Sequence, residues 1–174
     1  MGQRRRAREI AVQGLYMYDV RLSGGEDKET LLADILSLGW ASVEAEDEDE
    51  DKPAVPLNDD AKEFAAELIR ETVRQQETID KVISSRLKHW KPERLHILDK
   101  AILRMSVYSM LYMRDIPPAV SINEGIEIAK KFSGENSADF VNGILDAVNK
   151  TEIKSDNVTN RRSSKNEAQS TKQK

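Results

Sequence analysis

Apolar residues recur every three to four positions through most of the chain, and the strict alternation of a half-buried strand is absent. The pattern predicts an all-α protein of about seven helices. The first runs from about Arg4 to Leu22, with Ala7, Ile10, Ala11, Gly14 and Tyr18 on one face and Arg5, Arg8, Val12 and Tyr16 on the other. Gly24-Gly25 ends it. A second covers about Lys28 to Gly39 with Leu31, Leu32, Ile35 and Leu38 inward. A third starts at Asn58 or Asp59, either of which can cap it, and reaches about Arg74 on a core face of Ala61, Phe64, Ala65 and Leu68. A fourth, about Thr78 to Leu87, buries Ile79, Val82 and Ile83.

Pro92 can open the next helical stretch at its first position. There LHILDKAILRMSVYSMLYM is the most apolar segment of the chain, with Leu98, Ile102, Met105 and Ser109 on one stripe and Leu95, Ala101 and Val107 at its sides. A helix apolar on several sides is wrapped by others, so it is expected at the centre. Asp115-Ile116-Pro117-Pro118 ends it. Ser121-Ile122-Asn123-Glu124 then has the form of a capping box, which starts a sixth helix that continues to Phe132 and stops at Gly134. A seventh, about Ser137 to Lys150, buries Val141, Ile144, Leu145 and Val148. The polar stretch after it lacks an apolar face and is expected to be a disordered basic tail, 151–174.

Charge changes this picture more than composition does. The net charge of −4 hides a basic start (Arg4, Arg5, Arg6, Arg8), an acidic block from Glu44 to Asp51 and a basic tail. Dense like charges repel, so the block reads as a solvated insertion. The arginines read differently, because Tyr16 lies on their face of the helix. Guanidinium for phosphate beside an exposed ring for an unstacked base is the chemistry of single-stranded RNA binding.

Catalytic and metal chemistry find no foothold. The chain has no cysteine, which excludes a thiolate zinc site, a thiol nucleophile and a disulfide scaffold. His89 and His96 have no cysteine partners, and three or four converging ligands would be needed for a metal. Nucleophile-elbow, P-loop and dinucleotide-binding motifs are missing. No cofactor is therefore expected, and the expectation is a non-enzymatic protein. No apolar run approaches a bilayer span and the N-terminus lacks a signal-peptide core, so a cytoplasmic location is expected. The last two helices, joined by a turn at Ser133-Gly134-Glu135-Asn136, have the outline of a DNA-reading helix-turn-helix. The second of them, ADFVNGILDAV, carries no lysine or arginine to reach base or phosphate, which disfavours DNA.

Three blocks in order, RRRAREIAVQGLY, ILDKAILRMSVY and AVSINEGIEIAKKFSGENSADFVNGILDAV, closely resemble the NusB family of bacterial transcription antitermination factors. The similarity covers about Arg4–Tyr18 and Trp90–Val148; the middle matches only in helical pattern. The resemblance implies two packed antiparallel helical bundles, the N-terminal one spanning 1–75 and the C-terminal one 76–150. It implies that the protein binds boxA RNA together with the ribosomal protein NusE, and through that pair serves the antitermination complex of RNA polymerase on ribosomal RNA operons. It assigns Arg4, Arg5, Arg6, Arg8, Tyr16 and Phe140 to RNA and Asp99 to the NusE surface. Ser109 and Asn136 stand where relatives commonly carry acids, and they belong to the same partner surface by analogy. The alternative is a NusB-like RNA-binding module associated with ribosomal RNA methyltransferase activity.

Overall fold

The computed structural model describes residues 2–38, 56–87 and 95–153. Gly39, the acidic block, His89, Pro92 and the tail from residue 154 onward lie outside the described residues. Among those described there are seven α-helices and no strand: α1 (Gln3–Ser23), α2 (Lys28–Leu38), α3 (Asp59–Arg74), α4 (Gln76–Ser84), α5 (Ile97–Tyr112), α6 (Pro118–Ser133) and α7 (Glu135–Val148), the last running into one π-helical turn, Asn149–Ile153. Helices α1, α2 and α3 pack together, α4, α6 and α7 pack around α5, and α1 and α3 meet α5 to join the two groups. The buried side chains form one continuous apolar cluster across both.

Local chemistry accounts for most of the boundaries. The Asn58 side chain accepts a hydrogen bond from the Ala61 amide at 2.8 Å and so caps α3. Asp27 does the same for α2 through the Thr30 amide at 3.0 Å. Gln75 alone separates α3 from α4, and Gly134, at φ 91°, alone separates α6 from α7. That positive φ favours glycine and turns the chain back within one residue, where the pattern predicted a four-residue turn.

The structure corrects two expectations. The first concerns the capping box. α6 begins three residues earlier, at Pro118, because a proline has no amide hydrogen to lose in a first turn and its φ is already helical. Ser121 and Glu124 therefore sit inside the helix, where their backbone amides need no cap, and both side chains turn outward to other helices. The second concerns α1. The face predicted to be inward is buried, but Val12 and Arg8 on the opposite face are buried as well. α2, α3 and α5 all pack on α1, and Arg8 lies over the Phe64 ring of α3, so it is a wrapped helix too. α5 is buried at every position from Ala101 to Met110, as its composition predicts.

Candidate nucleic-acid interface

The basic start of α1 is a structured cluster rather than a row of free cations. Arg4 is exposed at the surface, with its Cζ 4.4 Å from the centre of the buried Phe64 ring of α3. Arg8 lies over the same ring at 5.1 Å and donates from Nη1 to the Arg4 carbonyl oxygen at 3.2 Å. Cation–π attraction and the ring's bulk thus fix two arginines with one aromatic. Arg5 turns toward α6, donating from Nε and Nη2 to the two carboxylate oxygens of Glu124 at 3.1 and 2.9 Å. Arg8 Nη1 stands 3.8 Å from the same carboxylate. The hydrogen bonds from Arg5 hold the Glu124 carboxyl below its ordinary pKa. Burial draws the Arg8 guanidinium below the usual arginine value.

This arrangement divides the arginines that the sequence treats alike. Arg4 reaches solvent, Arg5 and Arg6 are half-buried, and Arg8 is only 6% exposed. Arg8 is corrected from the solvent-facing strip to the interior: the long apolar stem and planar head fill space beside Phe64. Farther along α1, Tyr16 is 39% exposed, with Met17 and Val20 exposed beside it. Phe140, on α7, is half-buried against the core.

The residues expected at a protein partner fall in two places. Asp99 in the first turn of α5 is buried, and its Oδ2 accepts a hydrogen bond from the Ser137 hydroxyl of α7 at 3.1 Å. Its Oδ1 is buried without a hydrogen-bond partner. Asn136 is exposed one residue before Ser137, so the N-terminal turns of α5 and α7 bring Asp99 and Asn136 to one end of the C-terminal bundle. Ser109 is not there. It lies ten residues farther along α5, about 15 Å at 1.5 Å per residue. Its side chain is 3% exposed and shares a 2.8 Å hydrogen bond with Ser121 of α6. Ser109 is therefore corrected from a surface position to an interior brace between two helices. His96 is exposed and occupies the N-cap of α5 without a side-chain capping bond.

A family model described as the NusB family matches residues 5–150. The chain belongs to the NusB family. It is 40% identical over 148 residues to the transcription antitermination protein NusB of Methylacidiphilum infernorum, covering 85% of this chain and 91% of that one. Against the NusB protein of Citrifermentans bemidjiense it is 41% identical over 151 residues, covering 87% and 97%. Among solved structures, T. maritima NusB matches with a TM-score of 0.66 at 36% identity over 85% of this chain and 91% of that one. A structure described as the antitermination factors NusB and NusE in complex with dsRNA matches with a TM-score of 0.64 at 28% identity, covering 86% and 98%.

Within this NusB-family fold, sequence reasoning passed over two groups of residues. One is a partly buried ion cluster. Arg104 of α5 donates to Asp19 of α1 and to Asp80 of α4, and Lys100 Nζ adds a contact to Asp19 at 3.7 Å. The signal was present, since a lone arginine inside the most apolar helix has to be paired to be buried at all. The other is Glu124, whose spacing from Ser121 disguised it as a capping residue. Among the described residues no set of His, Asp or Glu side chains converges as a metal site, and no helix is long and apolar enough to cross a membrane.

Proposed function

We propose that this chain is a non-enzymatic, cytoplasmic transcription antitermination factor that grips boxA-type single-stranded RNA together with NusE. The observation that carries the RNA and NusE parts of the reading is the likeness to a NusB structure described with NusE and dsRNA, along nearly the whole length of that chain. The preference for a single strand rests on the exposed Tyr16 ring. The geometry supports it at both surfaces. The arginines of α1 offer charge for a phosphate backbone, and Tyr16 farther along offers an exposed ring on which an unpaired base can stack. A duplex keeps its bases stacked and would use the charge alone. At the other surface Asn136 is exposed at the start of α7, next to Ser137, whose hydroxyl donates to the buried Asp99 carboxylate. We propose that this end receives NusE, with Phe140 adding apolar surface toward RNA.

The test is a set of titrations of boxA RNA, duplex RNA and duplex DNA, each with and without NusE. Tight binding of the single strand only in the presence of NusE is the expected result. Tyr16→Ala should weaken single-strand binding by about 1–3 kcal/mol and leave the melting temperature nearly unchanged, because the ring is exposed. Equal affinity for all three nucleic acids, or no interaction with NusE by calorimetry, would overturn the reading.

A further inference from the structure

We infer that Glu124 is a built-in competitor for the RNA phosphate at Arg5, and that buried Arg8 is the partner Glu124 falls back on when Arg5 lets go. The inference rests on the RNA-binding reading above and says which charges that binding has to rearrange.

An arginine head carries five N–H donors, and its two-pronged edges match a carboxylate and a phosphate equally well. Arg5 has given one such edge, Nε with Nη2, to Glu124. While that pair stands, a phosphate meets a guanidinium whose charge is largely offset by a neighbouring anion. The pair is open enough to exchange: the Arg5 side chain is 38% exposed, whereas Glu124 is 16% exposed and stays in the wall of α6. Arg5 is thus the mobile member and Glu124 the fixed one.

What makes the exchange cheap is Arg8. A half-buried carboxylate stripped of its only cation would be costly, and the loss would hold Arg5 in place. Here the Arg8 guanidinium already stands 3.8 Å from Glu124, short of a good hydrogen bond but close enough to become one with a small shift. Arg8 cannot follow Arg5 outward, since Phe64 and the Arg4 carbonyl hold it in place. The free protein therefore pairs Arg5 with Glu124, and the RNA-bound protein pairs Arg5 with phosphate and Glu124 with Arg8. No proton has to move. The other acids whose charge reaches Arg5 are engaged elsewhere, Glu127 by Lys130 and Glu9 by Lys131, each at 3.3 Å.

Glu124→Gln keeps the shape and the acceptor oxygen but removes the competing charge. At low salt it is expected to tighten boxA RNA binding roughly three- to tenfold and to steepen the slope of log K against log salt by about 0.7, the increment for one more phosphate on a single strand. The same substitution in an Arg5→Ala background should change affinity less than twofold, because the competition acts through Arg5. If the glutamine variant does not fold by thermal melting, Glu124→Asp serves instead: one methylene shorter, it cannot span both Arg5 donors, and affinity should rise in the same direction by a smaller factor. A folded Glu124→Gln that binds as the parent does, or more weakly, overturns the inference and makes Glu124 a brace. An equal gain with and without Arg5 also overturns it, leaving only a general field effect. A parent protein that binds no RNA overturns the functional reading and this inference with it, so the two failures are distinguishable.

Discussion

Arg104 of α5 and Asp19 of α1 are joined inside the protein by two hydrogen bonds from one nitrogen, Nη1 reaching the two carboxylate oxygens at 2.9 and 2.7 Å. The opposite edge of the same guanidinium grips Asp80 of α4 from Nε and Nη2 at 2.7 and 2.6 Å. Burial alone would draw down the Arg104 pKa, but the Asp80 and Asp19 carboxylates outweigh it and the group ends above its ordinary value. One cation therefore pins the N-terminal helices to the C-terminal bundle. Removing it would leave the buried Asp19 carboxylate with Lys100 alone, at 3.7 Å, and truncating one partner of a buried ion pair typically costs about 3–5 kcal/mol. Arg104→Ala is expected to destabilise the protein by that order, read as a fall in the urea midpoint. A loss under about 1 kcal/mol, the range of exposed pairs, would show that water reaches the cluster.

Two helical glycines should respond in opposite directions to the same substitution. A Cβ on Gly143 of α7 would meet no atom within 4 Å, so Gly143→Ala should stabilise by about 0.5–1 kcal/mol by removing backbone freedom from the unfolded chain. A Cβ on Gly14 of α1 would fall 2.7 Å from Ile69 Cδ1 and 3.4 Å from Ile35 Cγ2. Both isoleucines are themselves buried, so neither has room to swing away. Gly14→Ala should cost about 1–3 kcal/mol through overpacking. Thermal melts of the two variants against the parent decide it, and a stabilised Gly14→Ala would show that α1 and α3 are not in close contact.

Acid should loosen the contact between α1 and α6. The Arg5 hydrogen bonds depress the Glu124 pKa, so the folded state binds a proton there less readily than the unfolded state. The resulting stability is fully present above the unfolded glutamate pKa of about 4.3 and is lost as pH falls through the lower folded value. Parent and Glu124→Gln should therefore converge in stability as pH drops below about 4, with the parent losing more over that interval. Parallel pH profiles for the two proteins would mean that the carboxylate gains nothing from Arg5.

Helix content was legible along the chain because burial on one stripe repeats at a fixed period, and α3 and α7 keep their inward residues where that period puts them. The family was legible as well, since three long blocks in order constrain far more than any short motif. A wheel has no means of counting neighbours, however. It assigned Val12 and Arg8 to solvent because they oppose the most apolar face of α1. Only the tertiary packing of α2, α3 and α5 on that helix, with Phe64 of α3 against Arg8, shows that both faces are covered. The same limit applies to polar residues. Asn58 caps α3 through a partner three residues away, and such a bond can be read from local spacing. The partners of Arg5, Arg104 and Ser109 lie 119, 85 and 12 residues away (Glu124, Asp19 and Ser121), and a charge pattern alone does not choose among distant acids. The sequence by itself thus determined the helices, the family and the residues rich in charge. Which charges face solvent and which are spent inside was decided by the tertiary fold, because pairing depends on distance across helices and not on separation along one.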